Sequence, residues 1–236
     1  MHQVAIPPHV TERVIARRGK EHVSDDFDPA RTALIVVDMQ NGFMLPGVAF
    51  AEIKTAPTIV PNINKLAAAT RAAGGTVVWI VTTFTKEVET EWSTYYGLST
   101  AVSGEKRSAA LTKGAKGHAI WDGLEVKAGD PVVEKKRFSA FIQGSSDLDK
   151  VLKARNIDNI IITGTVTGVC CESTARDGMM LNYKVTMVTD GNAAYSDMEH
   201  NNALTGFYAS FGDIMPTDML VGLMEKNAKK YRQAAE

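Results

Sequence analysis

The stretch Ile160–Gly178, IIITGTVTGVCCESTARDG, joins a buried apolar run to an amphipathic segment through two glycines. Ile160–Thr163 has β-branched character and no polar alternation, as expected of a strand covered on both faces of a parallel sheet. After Gly164 and Gly168 the periodicity changes, and Gly168–Asn182 is predicted to be a helix. The same pairing of a short apolar run with a longer amphipathic segment recurs on either side. Ala33–Val37 (ALIVV), Thr76–Val81 (TVVWIV), Pro131–Glu134 and Val185–Val188 (VTMV) read as further strands, with Ser210–Pro216 a weaker sixth. Helices are predicted over Pro57–Ala73, stopped by Gly74-Gly75, and over Ser145–Arg155, where Ser146 and Asp149 resemble a capping pair. Asp197–Phe211 and Asp218–Tyr231 complete the set. Strand alternating with helix gives a doubly wound α/β fold, whose ligands lie beyond the carboxyl ends of the strands.

Composition narrows the function. With 26 Lys+Arg against 27 Asp+Glu, the net charge of −1 lacks the basic excess of an electrostatic nucleic-acid binder. No apolar stretch is long enough to span a membrane, and Met1–Lys20 has no signal-peptide core, so no membrane partner and a cytoplasmic location are expected. The two cysteines, Cys170 and Cys171, are adjacent, which suits a reducing compartment and is too few for a cysteine zinc site. No other ligand cluster stands out, so no metal and no cofactor are expected. Residues 1–30, polar and punctuated by Pro7, Pro8 and Pro29, read as an N-terminal arm over the surface or a neighbouring subunit, or else as a free tail; residues 31–236 form one domain.

Three residues stand at strand ends. Asp38 closes LIVVD, where a carboxylate serves as a general base or metal ligand, or caps the following turn. Lys135 follows Val133-Glu134 and either polarises a substrate group or, beside Lys136 and Arg137, faces water. Cys170 opens the helix after Gly168, where the macrodipole lowers a thiol pKa and free N–H groups can receive an oxyanion; a packed structural cysteine is the alternative. Cys171 lies roughly 100° further round the helix and belongs to a different environment. Carboxylate, amine and thiol converge on one rim of the sheet, which points to an enzyme.

Three blocks, ALIVVDMQNGF (33–43), VVEKKRFSAF (132–141) and ITGTVTGVCCESTARDG (162–178), resemble the isochorismatase-like cysteine hydrolases. The resemblance implies a three-layer α/β/α sandwich around a six-stranded, mainly parallel sheet, and a homodimer or homotetramer. It assigns the catalytic triad to Asp38, Lys135 and Cys170, the oxyanion hole to the backbone of Thr167 and Cys170, and a cis peptide to the Val166–Thr167 bond. Asp38 would take the Cys170 proton, the thiolate would attack an amide or ureido carbonyl, and Lys135 would counter developing charge. A thioester or thiocarbamate would then be hydrolysed.

The cysteine block and the SAF after Lys135 look most like the ureidoacrylate amidohydrolase and N-carbamoylsarcosine amidase branch. The expected substrate is a small ureido or carboxamide compound. Cys170 counts against the vinyl-ether hydrolases of the family, and the absence of histidine between residues 38 and 117 counts against a nicotinamidase-type metal site. Both remain alternatives within the fold, and a binding module holding an anion at Gly164–Gly168 is a third. Pocket candidates are Gln40, Asn41, Phe43, Phe84, Trp92, Tyr95, Phe138, Phe141 and Val166, with Tyr96 beside them. Arg107, Lys113 and Lys116 read as solvated surface, with contact to a substrate carboxylate the alternative; His118 and Trp121 read as packing, and Glu172 as a structural partner at the helix start.

Overall fold

The computed structural model describes residues 1–235. A helix, α1 (Pro8–Arg18), precedes β1 (Thr32–Val37), the short α2 (Asn41–Met44), α3 (Ala56–Ala72) and β2 (Thr76–Thr82). Three short helices, α4 (Lys86–Glu91), α5 (Ser93–Gly97) and α6 (Ala101–Leu111), lead to β3 (Val132–Lys135). Then come α7 (Leu148–Lys153), β4 (Asn159–Thr165), a single π turn (Thr167–Cys171) and α8 (Glu172–Met180). The chain closes with β5 (Lys184–Ala193), α9 (Asp197–Ser210), β6 (Asp213–Met215) and α10 (Thr217–Ala235).

Among the described residues the strands form one six-stranded parallel sheet in the order β3-β2-β1-β4-β5-β6. Both faces are covered except at the edge strand β3, where Val132 and Glu134 are exposed, which is why the inner strands carry no polar alternation. Ala33, Ile35 and Val37 face one core with Leu148, Ala175 and Leu204 from α7, α8 and α9. Leu34 and Val36 face the other with Ile59, Leu66, Leu220 and Met224 from α3 and α10. Burial of each such aliphatic side chain contributes about 1.5–3 kcal/mol.

Residues 1–30 pack on the rest of the chain. Val10 and Val14 of α1 join the core beneath α9, and Phe27 is buried against the opposite face. His2 reaches furthest: its ring stacks on His200 with centroids 4.4 Å apart.

Of the differences from the sequence expectation, which include the unpredicted helices α1 and α4–α6, three lie around β4 and the loop before it. The helix expected from Ser145 begins only at Leu148, because Ser146 Oγ donates to the Ala140 carbonyl and accepts from the Leu148 N–H, tying up the preceding loop. The helix expected from Gly168 starts as the π turn and becomes α-helical at Glu172. The cis peptide is Thr165–Val166, one bond earlier than expected, since β4 stays paired with β5 through Thr165 and the chain reverses there.

Candidate active site

The sheet order makes the site. β1–β3 wind one way and β4–β6 the other, so β1 and β4 are neighbours at the topological switch point, where side chains beyond the strand ends face an open crevice. Gly164 sits at this junction. Its φ is +118°, and a Cβ built on it would lie 2.1 Å from the Val37 carbonyl oxygen, so only glycine lets β4 approach the end of β1 this closely. Asp38, the next residue on β1, adopts φ +52°, a left-handed conformation that Asp tolerates better than most residues.

Asp38, Lys135 and Cys170 come together here. Lys135 Nζ stands 2.8 Å from Asp38 Oδ2, and both side chains are buried. Thr82 bridges them: its hydroxyl donates to Asp38 Oδ1 at 2.9 Å and accepts from Lys135 Nζ at 2.7 Å. Lys135 also donates to the Arg137 carbonyl at 3.1 Å, which fixes the ammonium. Asp38 Oδ2 receives no in-line hydrogen bond and keeps lone-pair capacity. Register explains the meeting, because Thr82 pairs with Lys135 across β2 and β3 while Asp38 lies one residue beyond the end of β1.

Burial pushes Lys135 down, but Asp38 and Cys170 more than reverse this, and the ammonium is held above the ordinary lysine value. Burial pushes the Cys170 thiol up; Lys135 pulls it back and Asp38 opposes that pull, leaving it at about 12. This corrects the expectation of a thiol lowered by the helix terminus. A π turn 5 % exposed at its cysteine, with a carboxylate alongside, outweighs the dipole. Cys171 points away into the core, with Sγ 4.0 Å from the Thr163 carbonyl oxygen, and burial holds it well above the ordinary thiol value.

Cys170 opens onto a cavity of ≈ 240 Å³. Phe43, Phe84, Trp92, Tyr95, Phe138 and Val166 line it, as the sequence reading expected. Trp92 and Tyr95 pack on Phe138 at 4.8 and 4.9 Å between ring centroids, forming an aromatic wall. Gln40, Asn41 and Phe141 do not line it. Gln40 is spent on the loops, donating to the Thr82 and His118 carbonyls and accepting from the Thr82 N–H. Asn41 donates to the Lys116 carbonyl, and Phe141 stacks on Tyr183 against the sheet. Thr167, whose backbone was expected to serve the oxyanion hole, does not line the cavity; it is fully buried, and its hydroxyl lies 2.8 Å from His200 Nδ1. From this turn Val166, Val169 and Cys170 face the cavity. The N–H groups of Val169 and Cys171 go to the Val166 carbonyl, whereas the Val166 N–H has no acceptor among the described residues.

A family model described as the isochorismatase domain matches residues 32–219 of this chain. The chain belongs to the isochorismatase family. A cysteine hydrolase from Pseudomonas syringae pv. phaseolicola is 31% identical over 85% of this chain and 95% of its own, with a TM-score of 0.73. An isochorismatase family protein from Desulfovibrio vulgaris is 30% identical over 83% and 98%, with a TM-score of 0.71. N-carbamoylsarcosine amidase from Thermoplasma acidophilum is 26% identical over 80% and 97%, with a TM-score of 0.64. With these neighbours, the isochorismatase domain here is that of a hydrolase. Among the described residues no three-residue His, Cys, Asp or Glu cluster could hold a metal ion, and no helix is long and apolar enough to cross a membrane.

Within this isochorismatase-family site, sequence reasoning overlooked Thr82 and Tyr195 and preferred the surface for Arg107. Thr82 ends β2 on the same rim as Asp38 and was findable by the rule that exposed the triad. Tyr195 lines the cavity just beyond the end of β5. Arg107, expected on the surface, is 6 % exposed and lines the cavity, because its guanidinium lies 4.2 and 4.4 Å over the rings of Tyr95 and Tyr96. Lys113 and Lys116 are exposed as expected, His118 packs with Nε2 2.8 Å from Thr83 Oγ1, and Glu172 accepts from Arg176.

Proposed function

We propose that this hydrolase cleaves a C–N bond of a small ureido or carboxamide compound, with Cys170 as nucleophile and Asp38 as the proton carrier. The observation that carries the reading is a thiol at the wall of a cavity that Lys135 also lines, with Lys135 paired to the buried Asp38 at 2.8 Å and both charges acting on the thiol. A vinyl ether offers no acyl carbon for such a thiol, and a cysteine hydrolase and an amidase stand among the structural neighbours.

A thiol pushed up to about 12 is almost wholly protonated at neutral pH, so it does not attack as a preformed thiolate. The proton moves to Asp38 as sulfur adds to the carbonyl carbon, a transfer suited to Oδ2, which has capacity to accept it. Lys135 keeps the added negative charge paired throughout. The carbonyl oxygen becomes an oxyanion, for which the Cys170 N–H and the unpartnered Val166 N–H are the donors, in place of the Thr167 amide first expected. The C–N bond then breaks, and Asp38 returns the proton to the departing nitrogen, releasing ammonia or an amine. A water molecule attacks the thioester or thiocarbamate, Asp38 takes its proton, and the C–S bond breaks with reprotonation of sulfur. Thr82 orients the carboxylate throughout. The cavity, below the usual 300–1,000 Å³ of ligand pockets, restricts the substrate to small compounds.

The test is ammonia release from ureidoacrylate analogues, N-carbamoyl amino acids, biuret and nicotinamide by the native protein, Cys170→Ala and Cys171→Ala. Turnover of a ureido or amide compound lost with Cys170→Ala and kept with Cys171→Ala is the expected result. Turnover surviving Cys170→Ala would overturn the mechanism.

A further inference from the structure

Arg107 is a buried cation without a counter-ion. Its Nη1 donates to Ser99 Oγ at 3.2 Å, while Nε and Nη2 are buried and find no acceptor among the described residues. Among the described residues no Asp or Glu pairs with it. Of the other cations in the lining, Lys135 has Asp38, Arg137 has Glu91, and Lys136 is only half-buried. No carboxylate side chain lines the cavity among the described residues. Tyr95 and Tyr96 hold the guanidinium plane and supply no charge. An unpaired buried charge is expensive, and packing between two rings does not require one.

Nε and Nη2 form the side-on edge of the guanidinium, whose two parallel donors match the two oxygens of a carboxylate. We propose that Arg107 is the specificity-determining residue of this site and that the substrate is a carboxylate-bearing ureido or amido acid. Its carboxylate lies on the Nε–Nη2 edge while its scissile carbonyl meets Cys170. Tyr95, which packs on Arg107 and lines the same cavity as Cys170, stands between the two ends. The proposal rests on the cysteine-hydrolase reading for its reaction, and on Arg107 alone for its anion.

The experiment has two arms. In the first, kcat/KM is measured for 3-ureidopropionate and its methyl ester with native protein, Arg107→Gln and Arg107→Lys. The native protein should prefer the acid by on the order of 100-fold; Gln should bring the ratio near one and Lys should restore part of it. Equal turnover of acid and ester by the native protein, or equal loss of both in Arg107→Gln, would overturn the proposal and leave the cysteine mechanism standing. The second arm needs no turnover. Succinamate and succinamide are compared as protectants of Cys170 against iodoacetamide, followed by mass spectrometry. Protection by the acid alone, lost in Arg107→Gln, supports the anion site even if no ureido compound is hydrolysed. Equal protection by both compounds overturns it.

Discussion

Replacing Asp38 with Asn removes the carboxylate that opposes ionisation of Cys170 while leaving Lys135 beside the thiol. Two unit charges about 4 Å apart at an effective dielectric of about 20 interact by about 4 kcal/mol. At 1.36 kcal/mol per tenfold, losing that repulsion raises the thiolate population roughly a thousandfold. A less basic thiolate is a weaker nucleophile, and a Brønsted coefficient of about 0.4–0.5 returns roughly 20-fold of this gain. Alkylation of Cys170 by iodoacetamide at neutral pH should therefore become about 50-fold faster in Asp38→Asn, even as kcat falls by about 10²–10⁴ with loss of the proton carrier. The assay is a time course of carbamidomethylation at the Cys170 peptide, alongside circular dichroism to verify the fold. A folded variant that alkylates at or below the native rate would refute the argument, because Asp38 would then not be what keeps the proton on sulfur.

Other perturbations reach different parts of the same frame. Lys135→Met preserves volume but strands a buried carboxylate, and urea unfolding should show a loss of about 3–5 kcal/mol; a loss below about 1 kcal/mol would mean the pair is not desolvated as described. Gly164→Ala forces a Cβ onto the Val37 carbonyl at φ +118° and should destabilise by about 3 kcal/mol or more, read from the denaturant midpoint; an unchanged midpoint would contradict the close approach of β4 to β1. Burial, with His2 adding repulsion, lowers His200 from 6.5 to about 4. The unfolded chain therefore binds a proton that the folded chain refuses. Stability from this group is complete above about pH 6.5 and is lost as pH falls towards 4, by about 3 kcal/mol. Native protein and His200→Gln, unfolded in urea at both ends of that range, should differ in pH slope by this amount; parallel slopes would refute it.

The sheet and the meeting of Asp38, Lys135 and Cys170 at one rim were legible because both follow from local rules. Val37-Asp38 ends a buried run and Lys135 ends the edge strand β3, and in a parallel sheet every such end opens on one rim. The cavity wall was legible only in part. Gln40 and Asn41 follow Asp38 directly, yet both side chains are taken by carbonyls of the 82–118 loops, a long-range demand that no local pattern records. The helices α4, α5 and α6 are too short to show a stripe, so Arg107 looked like one more surface charge. What buries it is the Tyr95-Tyr96 doublet, eleven and twelve residues earlier, and only the folded chain brings them into contact. The thiol was misjudged for a related reason: a helix start is visible in a sequence, whereas the degree of burial around it is not.

The segment joining β2 to β3 has a consequence for how such a protein changes over time. Asp38, Lys135 and Cys170 hang from the central sheet, whose register tolerates little revision. Trp92, Tyr95, Tyr96 and Arg107 hang from α4–α6, whose short helices form no part of the sheet. The groups proposed to break the bond and this part of the cavity wall are thus written in separate stretches of the gene. Directed evolution confined to residues 84–111 should therefore change substrate preference while leaving the Asp38–Lys135 pair and the rest of the wall in place.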